Sequence, residues 1–279
     1  MISSRPVYIR ASAIAVSTAS VPLFVKKVFR RLPGAIDAHV HSYSSPVEGF
    51  HHATRAAVAG GVTTIIDMPY DCGGPVFSGE ALKAKKARIE REAVCDVALL
   101  GTVEREPRLE KIRELAAGGV CGFKVSMFET DKDRFPRIAD GDLIEVFRTV
   151  SETGLPIGLH AENDDIIRKS LARERSGDPL DPQAHTRSRP RVAESEAVLR
   201  AMEFALWTHV RLHIYHASHP RIFDLVELFK RQGAVITAET CTHYLTLNAG
   251  ELDRIGSKAM VNPPLGSEEE REGLWRLCG

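Results

Sequence analysis

The sequence predicts an α/β fold, a (β/α)8 TIM-type barrel that is truncated before strand eight. Three observations predict it. From residue 35 onward, short apolar runs alternate with amphipathic stretches, the pattern of repeated β-α units around a parallel sheet. Nearly every apolar run closes on His, Lys, Asp or Glu, and in a barrel the chemistry gathers at the C-terminal ends of several strands. No G-x-G-x-x-G follows the first run, which removes the usual dinucleotide-binding open sheet.

Taken in order, the predicted strands are 35–41, 63–69, 96–103, 122–127, 156–162, 211–218 and 235–244. Helical periodicity places helices at 49–59, 78–92, 106–117, 140–152, 194–208 and 221–231. Gly60-Gly61, Gly118-Gly119, Thr153-Gly154 and Gln232-Gly233 each follow a predicted helix, where a C-terminal glycine ends it. Past Asn262-Pro263-Pro264, Ser267-Glu268-Glu269-Glu270 caps a last helix ending near Leu277. Residues 1–34 form an atypical N-terminal segment and residues 35–279 an incomplete barrel. The first 36 residues carry six Lys or Arg and no acidic residue, a composition that an organelle transit peptide, an unusual native start or a mis-assigned start would each give.

Composition narrows the partners. Thirty-seven basic residues balance thirty-seven acidic ones, so no net field favours nucleic acid or a membrane surface, and a small molecule is the expected partner. Five cysteines, Cys72, Cys95, Cys121, Cys241 and Cys278, contain no C-x-x-C pair; that argues against a disulfide framework or a thiolate zinc site and favours a cytoplasmic location. No run approaches the roughly 18 to 20 apolar residues of a membrane span.

The chemistry is carried by a dispersed set. His39 and His41, two apart on a strand, project from one face and can grip one ion. Alone, such a pair is no stronger than two polar residues at a strand end. Lys124 in Gly-Phe-Lys-Val, His160 in Gly-Leu-His-Ala-Glu-Asn and His216 in Ile-Tyr-His-Ala-Ser complete it. A lysine inside an apolar strand would cost several kcal/mol of desolvation. Carboxylated by carbon dioxide it becomes an anion with two oxygens, able to bridge two divalent ions, and such a pair holds a hydroxide at neutral pH.

Seven motifs then appear in order: Pro33-Gly34-Ala35-Ile36-Asp37-Ala38-His39-Val40-His41, Ala59-Gly60-Gly61-Val62-Thr63-Thr64, Gly122-Phe123-Lys124, His160-Ala161-Glu162-Asn163, Ser188-Arg189-Pro190, Glu239-Thr240-Cys241-Thr242-His243-Tyr244 and Asn262-Pro263-Pro264-Leu265. Together they resemble the cyclic amidohydrolases of the amidohydrolase superfamily, the group of allantoinases, dihydropyrimidinases (hydantoinases) and type I dihydroorotases, over residues 33–279. The resemblance implies that His39 and His41 bind one metal, that Lys124 is the carbamate bridge, that His160 and His216 bind the second, and that Asn262 reads the cyclic amide. It implies two divalent ions, with zinc expected, and a homo-oligomer when full length. Glu162 and Asn163 either orient a ligand or cap the next helix, and His243 is a candidate for the pocket wall. His51, His52, His185, His209, His213 and His219 are expected to be structural, His209 and His213 flanking a strand without a partner.

Departures from the family pattern rank the substrates. Dihydroorotases of this type follow His-x-His with Leu-Arg, where this chain has Ser42-Tyr43. Hydantoinases commonly place Tyr five residues after the bridging Lys, where this chain has Glu129, and Tyr70-Asp71 departs from the small polar pair of allantoinases. The expectation is an allantoinase-like enzyme opening an allantoin- or hydantoin-like ureide by attack of metal-bound hydroxide. The family's base is an Asp after strand eight, which is missing from this chain. That leaves an alternative, a non-catalytic amidohydrolase-like scaffold or a gene fragment, and the expectation that the chain alone is neither stable nor active.

Overall fold

One sheet of seven strands runs in sequential order: β1 (Ala35–Val40), β2 (Val62–Asp67), β3 (Asp96–Gly101), β4 (Gly122–Ser126), β5 (Pro156–His160), β6 (Arg211–Ile214) and β7 (Ile236–Ala238). The computed structural model describes residues 33–278, so all but the last two residues of the atypical 1–34 segment lie outside the described residues. Every neighbouring pair is parallel. An open doubly wound sheet would reverse its strand order at a switch point, and this one does not. The sheet is also curled. Lys124 Nζ on β4 lies 3.0 Å from His39 Nε2 on β1. Three strand spacings of about 4.8 Å would separate them on a flat sheet, so the two face each other across a barrel interior.

Helices cover the outer face: α1 (Gly49–Ala59), α2 (Gly79–Glu92), α3 (Leu109–Ala117), α4 (Asp140–Thr153), α5 (Asp164–Glu174), α6 (Ala184–Ser188), α7 (Arg191–Thr208) and α8 (Pro220–Arg231). After β7 come α9 (Thr242–Thr246), α10 (Glu251–Ile255), a 3-10 turn (Gly256–Ala259) and α11 (Glu268–Cys278). Strand alternation divides the work. Phe123 and Val125 of β4 point outward into a continuous core with Leu99, Leu159, Leu212 and Ile214 of neighbouring strands and Leu115, Val146 and Phe147 of the helices. Lys124, between them, points inward. α8 shows why such stretches are helices: Ile222, Leu225, Val226 and Phe229 repeat at three- and four-residue spacing and are the residues it buries. Each such side chain contributes roughly 1.5–3 kcal/mol. Gly154, at φ +71, ends α4 in a left-handed turn that a side chain would strain.

The strands are shorter than the sequence pattern suggests. β6 stops at Ile214, and His216 takes a backbone φ of +44, incompatible with continued pairing. β7 ends at Ala238 rather than at 244, because Cys241 already opens α9. The segment between β5 and β6 holds α5 and α6, which the pattern did not show. α5 is rich in Asp and Arg and buries only Asp164, Ile167 and Ser170, so its apolar stripe is too thin to read. α7 begins at Arg191, three residues before the predicted start, with Pro190 as its N-cap. Among the described residues, no helix is long and apolar enough to cross a membrane.

Candidate metal centre

The five side chains His39, His41, Lys124, His160 and His216 come from three strands and from the segments just after β1 and β6, and they meet at one end of the curled sheet. His39 Nε2 lies 3.3 Å from His41 Nε2 and 3.0 Å from Lys124 Nζ. On the other side, His160 Nδ1 lies 3.0 Å from His216 Nε2. The ring centroids of His39 and His216 are 5.7 Å apart, which joins the two groups into one cluster. His160 closes β5; His41 follows β1 by one residue and His216 follows β6 by two. The unusual φ of His216 costs about 1–3 kcal/mol and turns its ring inward instead of along the strand.

What holds each ring decides which nitrogen faces the centre. His39 Nδ1 bonds the Glu239 carboxylate, His41 Nδ1 lies 2.7 Å from Ser44 Oγ, and His160 Nε2 lies 2.7 Å from a Glu162 oxygen. A carboxylate only accepts, so the ring proton of His39 and His160 sits on the outer nitrogen, and the inner one presents its lone pair. Burial pushes His160 below its ordinary range and His216 far below it, so both are neutral at physiological pH. The outer Nδ1 of His216 has no partner among the described residues. Four imidazoles in two close pairs, with a buried lysine 3.0 Å from one of them, fit a cation centre better than a network of hydrogen bonds.

Lys124 is 1% exposed and has no carboxylate within ion-pair distance among the described residues. Burial pushes its ammonium down to about 7. Tyr215 lies 4.4 Å from Lys124 Nζ with its ring face, and its edge meets His39 at 4.8 Å between centroids. Glu239, despite burial acting the other way, is held down to about 2 by hydrogen bonds from His213 and His39.

A cavity of about 540 Å³ opens over this cluster, lined by His39, His41, His216, Glu239, His243 and Asn262 among others. Asn262 stands exposed at its rim. His243 reaches it from α9 rather than from the end of a strand, and its Nε2 has no partner among the described residues. Glu162 faces His160, whereas Asn163 turns away and caps α5 by accepting from Ile166 N. Two residues were misjudged or unseen in the sequence. His213, expected to lack a partner, lies 3.4 Å from Glu239 and 2.8 Å from Thr237 Oγ1. Glu239 belonged to a recognised motif, but its contact with His39 spans 200 residues. The remaining histidines are structural: His51 and His52 lie exposed on α1, His209 ends α7, His185 Nε2 bonds Val261 O at 2.9 Å, and His219 lies 3.7 Å from Glu194.

The sequence profile described as Amidohydrolase family matches residues 31–237. An allantoinase of Rubrobacter xylanophilus is 39% identical over 248 residues, which are 88% of this chain and 54% of that protein. An allantoinase of Deinococcus radiodurans is 34% identical over 247 residues, 88% of this chain and 55% of that protein. Among solved structures, the L-hydantoinase (dihydropyrimidinase) of Arthrobacter aurescens superposes with a TM-score of 0.83 at 30% identity, covering 87% of this chain and 54% of the other. The chain thus spans about half the length of the curated relatives it matches.

Proposed function

The chain belongs to the amidohydrolase family, and from that premise we propose that the protein hydrolyses a C-N bond of a cyclic amide, opening the ring of an allantoin- or hydantoin-like ureide. The observation that carries this reading is the clustering of His39, His41, Lys124, His160 and His216, three of which, His39, His41 and His216, line one cavity. His39 and His41 would hold one divalent ion and His160 and His216 a second, zinc by preference. Bound there, the ions supply Lewis-acid polarisation of a carbonyl and a water whose pKa falls to about 7.

The residues of the chain supply the rest. The free amine of Lys124 would form an N-C bond to carbon dioxide and release one proton to solvent, and the resulting carbamate would supply the centre with an anion of two oxygens. The same burial that makes an ammonium costly favours the amine that reacts. Asn262, on the cavity rim, orients the ring of the substrate. Ser42 and Tyr43, where dihydroorotases carry Leu-Arg, offer no cation for a substrate carboxylate: Ser42 N donates to Asp67 and Tyr43 OH donates to Glu92. Glu129 is paired with Arg105, away from any role as an oxyanion donor. Ureides are therefore favoured over dihydroorotate.

Elemental analysis of the protein purified without chelator is expected to give two equivalents of divalent metal, falling to one or none in His41→Ala. The protein at the full length of its relatives, assayed against allantoin, hydantoin and dihydroorotate, is expected to turn over a ureide. Metal-free wild-type protein would overturn the centre and favour a scaffold. Turnover of dihydroorotate alone would overturn the choice of ring.

A further inference from the structure

The Ser188-Arg189-Pro190 motif lies outside the ligand set, yet its arginine ends inside the centre. Arg189 is 8% exposed, and its Nη1 lies 2.6 Å from the Glu162 oxygen that also lies 2.7 Å from His160 Nε2. Glu162 is 1% exposed. The guanidinium also stands 4.5 Å from the ring centroid of Phe128, which fixes its plane from the other side. Its backbone is fixed as well: Ser188 Oγ donates to His185 O, and Pro190 opens α7.

We propose that Arg189 and Glu162 are positioning residues for the second metal ion: the guanidinium clamps the Glu162 carboxylate, and the carboxylate holds the proton of His160 on Nε2 so that Nδ1 faces the ion. The inference rests on the metal centre proposed above. A buried carboxylate with one oxygen shared between a guanidinium and an imidazole N-H has its position set by both. Without the clamp, the acceptor can swing away from Nε2, and the ring loses the contact that selects its tautomer and rotation. His39 and His41 touch neither residue, so the two ions should respond differently. His185, four residues before Arg189, donates to the carbonyl beside Asn262, which ties the same segment to the cavity rim.

The test is zinc titration of the full chain against a competing chelator, resolving two binding steps, with the melting temperature of the metal-free protein measured in parallel. Arg189→Met is expected to weaken one step by roughly 10- to 100-fold, the range typical for loss of an outer partner of a metal-bound histidine. The other step stays near wild type, whereas the metal-free melting temperature falls, because Glu162 loses a buried partner. Arg189→Lys, which keeps the charge but not the planar fork, is expected to restore part of the affinity. Should Arg189→Met fail to fold, Arg189→Lys and Glu162→Gln carry the test, each expected to weaken one step only. Equal weakening of both steps, or a lowered metal-free melting temperature with zinc affinity unchanged, would overturn the proposal by showing a purely structural role. Wild-type protein that binds no zinc would overturn the metal centre itself, a result separable from the other two.

Discussion

Gly158 shows how much of the centre depends on a residue that performs no chemistry. A Cβ built there would lie 2.0 Å from the Tyr215 ring, far inside contact distance. Only a glycine lets that ring lie flat against β5, and the ring in turn stands 4.4 Å from Lys124 Nζ. Gly158→Ala is therefore expected to push Tyr215 toward Lys124 and lower both metal content and turnover. A substitution that overpacks a tight site costs roughly 1–3 kcal/mol. Metal per protein and chemical denaturation measured together check it, and unchanged values for both would show that the ring has room to move. The residues that cluster were legible because each is chemically odd where it stands: a lysine in an apolar strand, a His-x-His at a strand end. Glu239, Ser44 and Tyr215 were not, since an acid, a serine and an aromatic are ordinary in sequence and gain meaning only from a neighbour on another element.

Elements are held to one another by more than apolar contact. α2 is fixed under the His-x-His strand by Lys85, which is 4% exposed and whose Nζ lies 2.6 Å from Asp67 and 2.7 Å from Asp71. The other oxygen of Asp67 accepts from Ser42 N, the residue directly after His41. An ion triad so placed couples helix position to the end of β1. Removing one partner of a buried ion pair leaves an uncompensated charge and typically costs 3–5 kcal/mol, so Lys85→Met is expected to destabilise the protein by about that amount. Urea denaturation reads it, and a loss under about 1 kcal/mol would mean that water or a rearranged side chain replaces the ammonium. Periodicity sufficed to find seven strands and six helices, because a buried strand and an amphipathic helix each leave a repeating apolar trace. It failed at α5, whose stripe is thin, and at the ends of β6 and β7, where the backbone of His216 and the start of α9 stop the ladder for reasons that have no apolar signature.

At the scale of the whole molecule, the sheet is unevenly held. β2 to β6 each have a partner on both sides, whereas β1 pairs only with β2 and β7 only with β6 among the described residues. Four of the six residues of β1 are exposed, in contrast to β4, which is buried throughout. Local opening costs least where few apolar contacts and few ladder bonds must break. Amide hydrogen exchange in the metal-free protein is therefore expected to be slowest in Gly122–Ser126 and Pro156–His160 and fastest, among the strands, in Ala35–Val40 and Ile236–Ala238. Protection of β1 equal to that of β4 would show that its free edge is covered in solution, by a second copy of the chain or otherwise. The same measurement connects stability to the centre. β1 carries His39 and is followed at once by His41, so the least protected strand supplies both ligands of one proposed ion, while the other ion rests on β5 and the loop after β6. A ligand that binds only the closed form raises the cost of opening by RT ln(1 + [L]/Kd), about 2.7 kcal/mol at a hundred times Kd. Zinc at that excess is expected to slow exchange in β1 by roughly 100-fold. In β4 and β5, where exchange already requires global unfolding, the gain is no more than the rise in overall stability. If zinc slowed every strand by one common factor, opening of β1 would be global rather than local; if it slowed β4 and left β1 unchanged, His39 and His41 would not be holding the ion.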